Sequence, residues 1–223
     1  MASTSEELFG AIDAGEVDRV RSMLAADPAL ATSRDAEGVS ALMRARYRFD
    51  RAMIEALQSR VAEMDLLEAA AAGDLDRLSH LLQSDRHVPV DAPSGDGFTA
   101  VHFAAFFGRA EAARLLVTHG ADIDAHGTGW MTGTPLHSAV SGRHTDVVGV
   151  LLEAGANPDV RQSGGWTPLH SAAHNGDVAS VRLLLDAGAD PAATNDEGTS
   201  VLEMARASGD DATIAAIEAS RAR

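Results

Sequence analysis

The stretch "GGWTPLHSAAHNGD", residues 164–177, decides the fold because it joins a helix start, a short helix and a helix stop. Thr167 is a good N-cap, and Pro168 suits the first helical position, where a missing N–H costs nothing. Gly176 ends this helix. The next segment, "DVASVRLLLDAG", has apolar residues at helical spacing and ends at Gly188, a left-handed C-cap. The stretch therefore predicts two short helices followed by a turn.

Two markers recur along the chain with one shared period. A hydroxyl residue at the helix start recurs in steps of 35, 33 and 33 residues, at Thr99, Thr134, Thr167 and Ser200. A glycine after the second helix recurs in steps of 35 and 33, at Gly120, Gly155 and Gly188. A fixed period of this length is the signature of a stacked repeat protein.

These residues resemble the ankyrin-repeat family, in its bacterial-type, stand-alone form. The resemblance is carried by "TPLH" at 134–137 and 167–170 and by the Gly-Ala-Asp/Asn segments at 120–122, 155–157 and 188–190. It is strong over residues 97–220 and weaker before them. The resemblance implies helix-turn-helix units with short β-hairpin fingers, stacked into a curved all-α solenoid.

The chain as a whole is predicted to be one ankyrin-repeat domain, 1–223, with about seven helix pairs. The helix-ending position steps from Gly15 to Phe49 in 34 residues, but from Phe49 to Gly73 in only 24. One finger is therefore expected to be missing there. The predicted divisions are an N-terminal capping repeat (1–37), a degenerate repeat without its finger (38–65), an irregular repeat (66–96), three regular repeats (97–197) and a C-terminal capping repeat (198–223).

Composition disfavours several classes of partner. The net charge of −15, with no basic cluster, argues against nucleic acid and anionic membranes, since both need a cationic face. The chain has no Cys, which excludes disulfides and zinc–thiolate sites. Its beginning is acidic where a signal peptide is basic, and no apolar run approaches the ~20 residues of a membrane span. We expect a cytoplasmic protein.

Three histidines recur once per repeat and invite two interpretations. They could form a metal or acid–base ladder, or they could cap helices. Each lies three residues after the N-cap, where a capping-box side chain reaches back, and Glu203 holds the same position after Ser200. Neighbouring helices lie ~8–10 Å apart, too far for ligands to share an ion at ~2.1 Å. The expected structural caps are Thr99, Thr134, Thr167, Ser200, His102, His137 and His170.

No catalytic motif such as G-x-S-x-G, G-x-G-x-x-G or H-E-x-x-H occurs in the sequence. We therefore expect no enzymatic activity, no cofactor and no metal. The resemblance implies that each repeat leaves free the residue before its cap and the last two residues of its first helix. Six of the nine aromatic residues fall on these positions or on the long connection before Thr134. The candidate partner-binding residues are Tyr47, Phe98, Phe106, Phe107, Trp130, Trp166, His174 and Asn175.

The predicted function is non-catalytic protein binding, as a scaffold or an inhibitor, through a concave groove and the fingers. Aromatic side chains are enriched at interface hot spots, and the acidic charge favours a partner with a basic surface. A monomer is expected. In a competing interpretation, Trp166 only covers its hairpin and Phe106 and Phe107 pack on the neighbouring repeat. The alternative functions are a metal- or small-ligand-responsive module that uses surface histidines, and a structural subunit of a larger assembly.

Overall fold

The computed structural model describes residues 4–61, 63–83, 88–95, 97–128 and 132–222, which form fourteen α-helices in seven consecutive pairs. None of these helices is long and apolar enough to cross a membrane. The first helices of the pairs are α1 (Thr4–Asp13), α3 (Ala41–Tyr47), α5 (Leu66–Ala72), α7 (Ala100–Phe106), α9 (Pro135–Ser141), α11 (Pro168–His174) and α13 (Val201–Ser208). The second helices are α2 (Val17–Ala26), α4 (Arg51–Gln58), α6 (Leu75–Gln83), α8 (Ala110–Thr118), α10 (Thr145–Glu153), α12 (Val178–Asp186) and α14 (Asp211–Arg221).

The turn inside each pair passes through a residue in the left-handed backbone region. Five of the seven are glycines, which adopt this region without steric cost, and the other two carry side chains. The seven are Gly15, Phe49, Gly73, Gly108, Arg143, Gly176 and Gly209, with φ between 53° and 75°. These turns fix the register of the pairs.

A finger is missing between the second and third pairs. Residues 59–65 alone connect α4 to α5, whereas residues 84–99 connect α6 to α7. The shorter connection has no room for a turn that projects beyond the helices.

The fingers are simpler than the β-hairpins expected from the sequence. Within the described residues, β pairing is limited to two isolated bridges, Arg34 with Ser40 and Thr194 with Ser200. Another finger is closed by two backbone bonds, from the Gln162 N–H to the Trp166 carbonyl at 2.9 Å and from the Gly165 N–H to the Gln162 carbonyl at 3.0 Å. The described fingers are thus short, hairpin-like turns with minimal antiparallel pairing.

The apolar interior is divided at the position of the missing finger. One core joins the first two pairs, with Leu8, Ile12, Leu42 and Met53 at its centre. A second, larger core runs through the remaining five pairs. Second helices pack on each other from α2 to α4 and from α6 through α14, but α4 and α6 are not packed to a comparable extent. The stack is continuous along its first helices and loosened along its second helices.

The missing finger also brings two more distant fingers together. A Cβ added to Gly95, in the connection between α6 and α7, would lie only 1.4 Å from the carbonyl oxygen of Glu37. Only glycine permits this approach of two backbones. The side chain of Arg34 in the same N-terminal finger forms an ion pair with Asp65 at the start of α5. The finger before α3 thus becomes a neighbour of the finger before α7.

Candidate functional site

Five aromatic side chains gather at the C-terminal ends of α3 and α7, and we call this group the aromatic patch. The rings of Phe106 and Phe107 are 5.1 Å apart, centroid to centroid, and nearly perpendicular. Phe49 lies 6.2 Å from Phe106 and 5.9 Å from Phe107. Such separations and tilts are those that favour attraction between rings. The patch comprises Tyr47, Phe49, Phe103, Phe106 and Phe107.

The patch crosses an entire helix pair. Tyr47 in the second pair lies 6.1 Å from Phe103 and 6.3 Å from Phe107, both of the fourth pair. The first helix between them, α5, carries alanine at each of residues 69–72. Methyl groups are the smallest side chains that have a Cβ. The ring of Tyr47 therefore contacts the rings of Phe103 and Phe107 past α5. Besides the packing of α7 on α5, Phe107 therefore also contacts Tyr47 of the second pair.

Phe49 is the most unusual member of the patch, and the sequence analysis did not select it as a binding residue. Its side chain is 67% exposed, although it is large and apolar. Its φ of 53° places a bulky residue where other repeats have glycine. Left-handed backbone costs roughly 1–2 kcal/mol for a residue with a Cβ. A phenylalanine in the glycine column was the signal in the sequence that could have identified it.

Two predicted binding residues serve packing instead. Phe98 is only 8% exposed, and its ring packs on His102 at 5.4 Å and on Phe103 at 6.0 Å. We therefore remove Phe98 from the candidate surface. The side-chain amide of Asn175 donates to the Val140 carbonyl at 3.3 Å, which ties it to the preceding repeat.

The remaining predicted residues are spread along the stack. Trp166 is half-buried and stands edge-on to His170, with 5.8 Å between ring centroids. His174 is exposed at the end of α11. Both belong to the sixth pair, two repeats beyond the patch, so the structure does not bring them to it. Trp130 lies outside the described residues.

The three periodic histidines cap their own helices and also hold the next repeat. In each, Nδ1 accepts from the cap threonine, whose N–H lies 3.3 Å away in all three repeats. The other nitrogen faces the backbone carbonyl before the next cap, at 3.1 Å for His102 and His137 and at 3.3 Å for His170. A carbonyl can only accept, so the proton is on Nε2. The side chains thus link successive repeats.

These imidazoles are held in the neutral form. Burial lowers the pKa of His102 and of His137 to about 4, although the bond that each donates to a carbonyl opposes the shift. Burial also lowers the pKa of His170. Both nitrogens of each ring are engaged. Within the described part of the chain, no three His, Asp, Glu or Cys side chains form a metal-binding group. The metal-responsive alternative gains no support from these residues.

Comparison with known proteins agrees with this architecture. Two family models of ankyrin repeats match the chain, one for three copies at residues 66–162 and one for many copies at residues 151–205. Protein phosphatase 1 regulatory subunit 27 of Homo sapiens is 43% identical over 100 residues, which are 44% of this chain and 62% of that protein. NF-kappa-B inhibitor cactus of Drosophila melanogaster is 30% identical over 126 residues, 55% of this chain and 25% of that protein.

Palmitoyltransferase Hip14 of Drosophila melanogaster is 34% identical over 101 residues, 45% of this chain and 15% of that protein. The chain thus spans less than two thirds of the length of these relatives. All three relatives are from eukaryotes, so the bacterial type stays a prediction. The period, the caps and the two family models lead to one conclusion: the chain belongs to the ankyrin-repeat family.

Proposed function

We propose that this chain is a non-catalytic binding protein, a scaffold or an inhibitor, that grips a segment of a partner protein. The groove along the first helices and the fingers forms the binding surface, and the aromatic patch anchors the partner. The observation that carries the proposal is Phe49, a strained residue whose large apolar side chain is mostly exposed. Backbone strain at an exposed apolar residue works against stability, which suggests that the residue serves binding.

The relatives support an interaction role in general terms. Ankyrin repeats are an interaction module, and two of the relatives are named as a regulatory subunit and as an inhibitor. A third is named as a palmitoyltransferase, but the match covers only 15% of its length. None of these names identifies the partner of this chain.

The charge suggests what kind of surface the partner has. The net charge of −15 favours a partner with a basic surface and accelerates its approach. The aromatic rings then supply the apolar area that holds the partner after contact. We propose that the chain works as a monomer in the cytoplasm, where its partner would be another soluble protein.

A paired comparison of variants tests the proposal. Phe49→Ser removes the exposed ring of the patch. Leu75→Ser removes a second exposed large apolar side chain among the described residues, which is 40% exposed and lies on the second helix α6. Proteins captured from the source cells by the wild type are identified by mass spectrometry and then re-measured individually with each variant. We expect Phe49→Ser to weaken binding at least tenfold and Leu75→Ser to leave it unchanged. Equal binding by both variants would refute the role of the patch.

A further inference from the structure

A cleft opens beside the aromatic patch where α4 and α6 fail to stack. Its volume is about 420 Å³, within the range of small-ligand sites. The second pair supplies one wall, the turn after α7 supplies the other, and His144 closes one side. The lining residues that matter for its chemistry are Arg46, Arg51, Arg109, Phe49, Phe107 and Gln58.

Arg46 gives this cleft a buried positive charge. It is only 5% exposed, yet it carries a charged guanidinium. Its Nη2 donates to Oε1 of Gln58 at 3.0 Å, while its Nε is buried and has no hydrogen-bond partner. Burial lowers the pKa of Arg46, the nearby Arg109 lowers it further, and Glu68 opposes the shift. A buried cation with an unsatisfied N–H is costly unless something pairs with it.

Glu68, the acidic residue whose charge acts on Arg46, is already engaged. The side chain of Glu68 accepts from the Asp65 N–H at 3.0 Å and completes the capping box of α5. The Nε of Arg109 donates to the Ala71 carbonyl at 3.2 Å. Among the described residues, neither Arg46 nor Arg109 forms an ion pair with a carboxylate.

The other lining groups do not balance this charge. Arg51 pairs with Glu55 at 3.0 Å, and both side chains are largely exposed to solvent. Nε2 of His144 donates to the Phe106 carbonyl at 3.0 Å, so that nitrogen is engaged. Three guanidinium groups thus face one carboxylate in a protein whose total charge is −15. A local excess of cations in an acidic chain marks a site for an anion.

We propose that the cleft binds a phosphate or carboxylate group, held by Arg46 and Arg109, whose attached apolar body lies against Phe49 and Phe107. A guanidinium fork matches the oxygens of such anions and forms strong charge-assisted bonds. The rings next to it favour an aromatic or aliphatic ligand over the bare ion. This inference goes beyond the binding of a partner protein in the groove, because the anion neutralises the guanidinium groups of Arg46 and Arg109.

Two phosphate ligands test the site: inorganic phosphate and phenyl phosphate. Each is titrated at constant ionic strength, and a parallel titration with chloride serves as the control. Constant ionic strength separates specific binding from screening. We expect both probes to raise the Tm of the wild type in a saturable way, and calorimetry to show a smaller Kd for phenyl phosphate. A wild type that responds to phosphate no more than to chloride would overturn the proposal.

Matched variants locate the site. Arg109→Gln changes an exposed side chain and Arg46→Met removes the buried charge, while Arg114→Gln removes an arginine on α8 that pairs with Glu111 and Glu153. We expect the first two variants to weaken phenyl phosphate about tenfold or more, as for the loss of a charged hydrogen bond, and the third to bind normally. Unchanged binding by both Arg46→Met and Arg109→Gln would show that the anion binds elsewhere.

The source of the anion is decided by one further comparison, between phenyl phosphate and a short phosphotyrosine peptide. Both carry the same aryl phosphate. Tighter binding of the peptide would assign the cleft to a phosphorylated protein side chain, and tighter binding of phenyl phosphate would assign it to a small molecule. In either case, binding must depend on Arg46 and Arg109.

Discussion

The ring centroids of Tyr47 and Phe103 lie 6.1 Å apart, although a complete helix pair separates the two residues along the chain. In a regular stack each repeat contacts only its neighbours. Here the second pair also contacts the fourth, because α5 is rich in alanine and because one finger is missing. This ring contact, which we call the aromatic bridge, couples the second pair to the fourth at the place where α4 and α6 do not pack on each other.

Truncating this bridge should loosen the N-terminal pairs before the others. Tyr47→Ala removes a half-buried ring, and we expect it to cost about 2 kcal/mol of unfolding free energy. Hydrogen exchange followed by mass spectrometry should show faster exchange in residues 4–61 than in the wild type. Exchange in α9 to α14 should be unchanged, because a second core holds those helices. Uniform acceleration along the whole chain would contradict two separable cores.

The contact between distant fingers gives a second test. Gly95→Ala places a methyl group on the Glu37 carbonyl, so the two fingers must separate. We expect a loss of about 1–3 kcal/mol, as for other overpacked positions. Gly10→Ala is the matched control because its Cβ meets no other atom within 4 Å, and alanine favours a helix. Chemical denaturation should therefore lower the midpoint for Gly95→Ala and raise or preserve it for Gly10→Ala.

Phe49 separates stability from binding. Glycine relieves the left-handed backbone and alanine does not, although both remove the ring. We expect Phe49→Gly to be more stable than Phe49→Ala by roughly 1 kcal/mol in thermal or chemical unfolding. Both variants should lose partner binding to the same extent. Binding retained by Phe49→Gly would mean that the side chain serves neither the groove nor the patch.

Local features of the fold were predictable from the sequence, because caps and turns depend on residues close together in the chain. The spacing of Thr134 and His137 indicates a helix start, and the short step from Phe49 to Gly73 indicates the missing finger. The fold class and the family are confirmed by the structure and the family models. The fingers pair only through isolated antiparallel bridges such as Arg34 with Ser40, which the turn residues alone do not reveal.

The candidate site was less predictable because it depends on contacts between distant residues. Alignment with regular repeats selected Phe98, which the structure buries, and did not select Phe49, which the structure exposes. Nothing in the local sequence shows that Tyr47 meets Phe107 across α5, or that Arg46 is buried near Arg109. The degenerate repeat at 38–65, where family rules apply least, supplies Arg46, Tyr47 and Phe49.

Acidification provides the last test, through the neutral histidines. In the folded chain the pKa of His102 and His137 is about 4, and in the unfolded chain it returns to 6.5. Between these values the unfolded state binds more protons, so the unfolding free energy falls as the pH falls below 6.5 and is fully reduced near pH 4. Above pH 6.5 neither state is protonated, and these residues give no pH dependence.

The expected loss is about 2 kcal/mol for each of the two histidines between pH 7 and pH 5. The carboxylates with lowered pKa, such as Asp13, lose their contribution only at lower pH, so this interval isolates the imidazoles. His137→Gln retains an acceptor for the cap but cannot be protonated. Since His170 also contributes, urea denaturation should show a slope of stability against pH reduced by roughly a third to a half. His174→Gln, at an exposed position, should leave the slope unchanged. A wild type equally stable at pH 7 and pH 5 would show that the imidazoles are not neutral links between repeats.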